Sequence, residues 1–148
     1  MEVSASSELV LPYTASSVGI ARRRLIGDLA VAGIYEGSTS DAAIVISELI
    51  SNALRHATPL PGCTLQASWR LLDDSVEIAV SDGGGETVPT VHQPAGWAIG
   101  GRGLGIVDRL SSRWGVSGEA GKTTVWARLP VRQGTSERLV AGGRVSAG

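Results

Sequence analysis

Phenylalanine is absent from this sequence, and cysteine and lysine occur once each, as Cys63 and Lys122. A lone cysteine has no partner for an internal disulfide and no second thiol with which to hold zinc. Oxidative stapling is thereby excluded, and a reducing cytoplasm is the expected compartment. The lone lysine follows no GxxxxG segment, so the chain carries no Walker-type phosphate loop. A net charge of -1 supplies no basic field for direct nucleic-acid binding, and 18% charged residues is too few for a disordered, solvating chain. No apolar run approaches the roughly 20 residues that span a bilayer, and the first residues, MEVSASSELVLPY, lack the basic-then-apolar order of a signal peptide. A soluble protein with no membrane contact is expected.

What is abundant is glycine. The chain has 20 glycines, and four tryptophans supply most of its aromatic bulk. The glycines cluster at 83–85, at 96–105 and toward the C-terminus. Clustered glycine marks backbone that bends tightly or approaches a neighbour closely. With 148 residues and 43% hydrophobic content, the chain matches one globular domain with a single core, and it contains no internal repeat.

Residues 7–12 read as a short edge strand, because Leu9, Val10 and Leu11 are apolar and Pro12 removes a ladder donor. Over 15–32 the apolar residues Val18, Leu25, Leu29 and Ala32 recur at helical spacing around Arg22, Arg23 and Arg24, and Gly33 is a stop. Ser38 or Ser40 is the expected cap of a second helix ending near Ala57, before Pro59 and Pro61. Residues 63–72 and 76–81 read as strands joined at Asp73-Asp74. The stretch 83–102, with Gly, Pro, Thr and Gln and only scattered apolar residues, is too long for an ordinary connection and reads as a functional lid or as disordered, a mobile lid being the favoured expectation. A short helix over 104–112 and strands over 113–117 and 122–129, with Gly118 and Gly121 at their turn, complete a domain of residues 8–130. Residues 131–148 are expected to be a poorly ordered tail.

Three segments carry candidate chemistry. In ISELISNALRHA the apolar residues Ile46, Leu49, Ile50, Ala53, Leu54 and Ala57 form one half of a helix, and Glu48 and Asn52 are expected opposite them. Their spacing of four stacks a carboxylate and an amide oxygen on consecutive turns, two hard donors for a ligand or a magnesium ion. The helix alone fits a solvated face equally well. His56, at the helix end, reads as a partner for the C-terminal dipole. Val80-Ser81-Asp82-Gly83-Gly84-Gly85 ends a strand on a carboxylate and then removes side chains, which suits either recognition of an exocyclic amine or a plain glycine turn. Gly100-Gly101-Arg102-Gly103-Leu104-Gly105 precedes a helix, so its backbone N–H groups suit phosphate, with the Arg102 fork as a further donor.

In this order the three segments resemble the N box, G1 box and G2 box of the GHKL, or Bergerat-fold, ATPases. The resemblance covers roughly residues 8–130 and looks closest to the stand-alone bacterial anti-sigma-factor serine/threonine kinases, whose strand ending is matched by Gly121-Lys122-Thr123-Thr124-Val125-Trp126-Ala127. It implies an α+β fold, a two-layer α/β sandwich whose mixed, mostly antiparallel sheet is covered on one face by helices, with a mobile ATP lid. It implies ATP and Mg2+ as cofactors. Glu48 would be the general base and Asn52 the magnesium ligand. Asp82 would read the adenine amine, with Gly84 giving the base room and Thr124 joining Asp82. Gly101, Arg102, Gly103, Leu104 and Gly105 would cradle the phosphates. The implied partners are a sigma factor and an anti-anti-sigma-type antagonist, with a homodimer through the first strand and helix in keeping with the family.

The sequence departs from the family pattern twice. Glu86 stands where the G1 box has its last glycine, and Arg102 is displaced by one residue from the arginine that precedes the G2 turn in these kinases. Phosphotransfer to a protein serine or threonine is the leading expectation. A non-catalytic adaptor whose lid switches its affinity for a partner is the alternative. The detached catalytic half of a histidine kinase ranks lowest, because the chain has no room for a dimerisation helix pair.

Overall fold

The computed structural model describes residues 5–85 and 104–134. Eight elements follow one another: β1 (Ala5–Pro12), α1 (Ser16–Val31), α2 (Glu36–His56), β2 (Thr64–Leu71), β3 (Ser75–Asp82), α3 (Gly105–Leu110), β4 (Arg113–Glu119) and β5 (Lys122–Pro130). The strands form one sheet in the order β1-β2-β3-β5-β4. All its pairings among the described residues are antiparallel, in keeping with the mostly antiparallel sheet expected from the resemblance. Most of the expected lid, from residue 86 onward, lies outside the described residues, as does the expected tail from residue 135.

Strand alternation decides which face is covered. Leu65, Ala67, Trp69 and Leu71 of β2, Val76, Ile78 and Val80 of β3, and Val125, Ala127 and Leu129 of β5 are all buried on one side. The helices lie there. In α1 the buried stripe is Ser17, Ala21, Leu25 and Leu29, a strict spacing of four, and Gly33 at φ 78 turns the chain out of the helix. In α2 the stripe is Ala42, Val45, Ile46, Leu49, Ile50 and Ala53, a continuous apolar arc at helical spacing. Each Leu or Ile buried this fully contributes roughly 1.5–3 kcal/mol. The Tyr13 hydroxyl, between β1 and α1, lies 2.6 Å from the carbonyl oxygens of both Ala53 and Ala57 and so ties down the end of α2.

The opposite sheet face carries a row of charge. Arg70 Nη2 reaches Glu77 Oε1 at 2.8 Å, and Arg128 Nη2 reaches Glu77 Oε2 at 3.0 Å. No helix among the described residues is long and apolar enough to cross a membrane.

Two expectations about chain ends are corrected. Tyr35, not a serine, precedes α2, and the helix has no side-chain cap. Ser38 instead accepts a hydrogen bond from the Arg132 N–H at 3.2 Å. Residues 131–134, expected as the start of a loose tail, are held in place. Val131 N donates to Asp74 O at 3.0 Å, Tyr35 N to Arg132 O at 2.6 Å, and Gly134 N to Gly33 O at 2.9 Å. The segment's backbone groups thus find partners at both the β2–β3 turn and the α1–α2 turn.

Candidate functional site

The C-terminal end of β3 and the C-terminal half of α2 meet on the helix-covered face of the sheet. Two polar side chains are sealed there: Asn52 is 2% exposed and Asp82 is 1% exposed. Buried polar groups of this kind are costly unless they find partners.

Asn52 departs from its expected place. It lies at the margin of the apolar arc of α2, next to the Val45 line, rather than opposite it, and it is as buried as the leucines around it. Neither Oδ1 nor Nδ2 has a hydrogen-bond partner. Glu48, one turn earlier, sits further round the helix and is half-buried. An i, i+4 pair places the two Cβ atoms about 6 Å apart on neighbouring turns. An orphaned carboxamide inside and a half-open carboxylate beside it form a polar step at the edge of the core.

The Asp82 carboxylate accepts a hydrogen bond from the Gly84 N–H at 2.7 Å. Gly84 has φ 88, a left-handed conformation that side chains with a Cβ rarely adopt. The two flanking glycines have a different reason. A Cβ on Gly83 would stand 2.4 Å from Pro59 O, and one on Gly85 would stand 2.4 Å from His56 O. The glycine triplet is therefore laid directly on the chain leaving α2. Thr58 fastens it there: its N–H and its hydroxyl both donate to Gly84 O, at 2.7 Å and 2.8 Å, while Gly83 N donates to Thr58 O at 2.8 Å.

The threonine pair in β5 is split by strand parity. Thr124 pairs with Ser81, on the face away from the helices, and the two hydroxyls lie 2.6 Å apart. Thr123 is the cross-strand partner of Asp82, and its hydroxyl oxygen would be 3.3 Å from a Cβ on Gly84. Thr123, rather than the expected Thr124, is thus the threonine on the Asp82 side of the sheet. The signal lay in the sequence, because Thr123 shares parity with Val125, Ala127 and Leu129, the buried residues of the strand.

The third segment is represented only at its end. Gly101, Arg102 and Gly103 lie outside the described residues. The Leu104 side chain is buried in the core, so only its backbone faces outward, and Gly105 opens α3 with open space around it. Val107 anchors α3 to the core, which places this end of the segment beside α2.

These residues fit a nucleotide and its metal. Mg2+ is commonly held by one or two protein oxygens together with phosphates and water, so a single buried amide oxygen on Asn52 suffices on the protein side. A buried carboxylate suits a ring amine, and a glycine at φ 88 leaves its face bare.

Comparisons with known proteins agree on the architecture. The model of the family described as "Histidine kinase-like ATPase domain" matches residues 11–129. No curated protein matches the chain. Among solved structures, the chain is similar to "The crystal structure of the RsbU and RsbW domains of Rv1364c from Mycobacterium tuberculosis", with a TM-score of 0.67 and 21% sequence identity. That likeness covers 88% of this chain and 34% of that one, so this chain spans about a third of its structural neighbour.

Proposed function

Since the chain belongs to the histidine kinase-like ATPase domain family, we propose that it binds ATP-Mg between α2 and the Asp82 turn and passes the terminal phosphoryl group to a serine or threonine of a protein antagonist. The observation that carries this reading is Asn52, whose two amide atoms are buried without partners one turn from Glu48. A core retains such a group when a bound partner satisfies it, since an unmet buried amide costs about 1–3 kcal/mol.

In this reading Asp82 accepts the adenine amine and Thr123 supports it, directly or through water. Gly84 gives the ring room. Asn52 holds the cation, which when bound neutralises phosphate charge. Glu48 takes the proton from the attacking hydroxyl as that oxygen bonds to the terminal phosphorus and the bond to the ADP oxygen breaks. Gly101, Arg102, Gly103 and the backbone of Leu104 and Gly105 hold phosphate oxygens. The resemblance of the three boxes to anti-sigma-factor kinases supports a regulatory role with protein partners, an antagonist that is phosphorylated and a sigma factor that is held inactive.

The test is incubation with γ-labelled ATP, Mg2+ and candidate antagonist proteins. Label should appear on a partner serine or threonine, and Glu48→Ala should abolish transfer while ATP binding persists. Normal transfer by Glu48→Ala overturns the role of Glu48. ATP binding with neither transfer nor hydrolysis across the candidates favours the adaptor over the kinase.

A further inference from the structure

We propose that Thr58 is a positioning residue of the nucleotide site, holding the Asp82 carboxylate in the orientation that selects an amino-bearing base; the inference rests on the nucleotide reading of Asp82 given above. Thr58 is the second residue beyond α2, which ends at His56, and it is exposed. It fills no core space. Its contacts are nevertheless specific: N–H and hydroxyl converge on the same acceptor, Gly84 O, at 2.7 Å and 2.8 Å. A carbonyl oxygen has two lone pairs and accommodates both donors. Gly84 is also the residue whose N–H, at 2.7 Å, fixes Asp82 Oδ1. Thr58 therefore grips a residue whose N–H helps to aim the carboxylate.

The grip has a reason in geometry. Gly84 sits at φ 88, in a conformation that leaves its peptide planes free to swing unless something anchors them. Any residue but proline at position 58 supplies the N–H, and the threonine hydroxyl adds the second donor. The reciprocal bond from Gly83 N to Thr58 O, 2.8 Å, closes the ring. The flanking glycines permit it, since a Cβ at Gly83 would meet Pro59 O and one at Gly85 would meet His56 O, each at 2.4 Å. The consequence is that the helix bearing Glu48 and Asn52 and the turn bearing Asp82 are fastened at one point, which fixes the base-reading group relative to the phosphate end of the site.

This separates Thr58 from a residue that merely supports the fold, because base choice depends on where the carboxylate points. A carboxylate accepts from the adenine 6-amine and repels the 6-oxo group of hypoxanthine, so the ratio of ATP to ITP affinity reads its orientation. The experiment measures Mg-ATP and Mg-ITP binding by calorimetry, with thermal unfolding alongside, for the full chain, Thr58→Val and Thr58→Ser. Thr58→Val keeps the branched shape and loses the hydroxyl. It should weaken ATP binding about threefold to tenfold, the range of one hydrogen bond, and weaken ITP binding less, so that the preference narrows. Thr58→Ser should restore the wild-type ratio. An unchanged ATP-to-ITP ratio in Thr58→Val, or an equal loss for both nucleotides, overturns the inference while leaving the nucleotide reading intact. A wild-type protein that binds neither nucleotide defeats the nucleotide reading, and the inference with it.

Discussion

Replacing Asn52 with leucine, which has nearly the same shape, should make the nucleotide-free protein more stable while destroying its site. Asn52 is 2% exposed and both of its amide atoms lack partners. A buried polar group left unsatisfied costs about 1–3 kcal/mol, and an apolar isostere removes that cost and adds apolar contact with the surrounding arc of α2. A gain of about 2 kcal/mol is the central expectation. For a chain of 148 residues, a change of 1 kcal/mol moves Tm by about 2–4 °C, so Asn52→Leu should melt about 4–8 °C higher than wild type without nucleotide. With ATP-Mg present the order should reverse in kind. Wild type gains about 2.7 kcal/mol at a hundredfold excess over Kd, by mass action alone, and Asn52→Leu, which lacks the cation ligand, gains far less. Thermal and urea unfolding with and without ATP-Mg read both effects. The reasoning is refuted if Asn52→Leu melts below wild type and still shows the nucleotide-dependent rise, for then the amide is a structural group and not a reserved ligand.

Three further outcomes follow from the same geometry. Thr123→Val should weaken ATP binding about fivefold, as expected for one lost hydrogen bond, whereas Thr124→Val, on the far face with Ser81, should change it less than about twofold; titration calorimetry showing the opposite order would return the adenine-side role to Thr124. Gly83→Ala forces a Cβ to within 2.4 Å of Pro59 O and should cost about 1–3 kcal/mol of stability in urea unfolding, together with weakened nucleotide binding; a neutral result would show that the turn is not fastened to the end of α2. Partial burial pushes the Glu77 carboxyl up, but hydrogen bonds and charge from Arg128 and Arg70 more than offset it and hold it below the ordinary carboxylate value. A carboxyl depressed in the folded state contributes stability above its unfolded pKa and loses it as pH falls through the folded value. Glu77→Gln should therefore be less stable than wild type at pH 7, by less than about 1 kcal/mol because the partners are largely exposed, and the difference should vanish in acid. A gap that widens on acidification contradicts that sign.

Hydropathy periodicity alone locates each of the eight described elements to within a few residues, because the two long helices and the inner strands each have one apolar side. The places where the structure departs from it share a cause: they depend on partners distant in sequence. Ser38 has the composition of a helix cap, yet its oxygen is taken by the N–H of Arg132, 94 residues away. Residues 131–134 look like tail by composition and are held by backbone hydrogen bonds that no side chain announces. Asn52 reads as a surface residue on a helical wheel, yet it is buried in a helix that packs against α1, β3, α3 and β5. The Asp82 turn was legible from its glycines. That two of them exist to pass the α2 terminus, with Thr58 as the fastener, depends on a packing contact that periodicity does not encode. The choice between Thr123 and Thr124 was decidable from alternation, with Thr123 in step with the buried residues of β5.

The most direct test of the account is calorimetric titration of the full chain with ATP and ADP, with and without Mg2+, beside Asp82→Asn. Wild type should bind both nucleotides saturably, more tightly with Mg2+, and Asp82→Asn should lose that binding, since its amide presents a donor to the adenine amine or gives up the charge that holds it. No heat of binding by wild type at about millimolar nucleotide, a concentration at which even a 1 mM Kd registers, would contradict it.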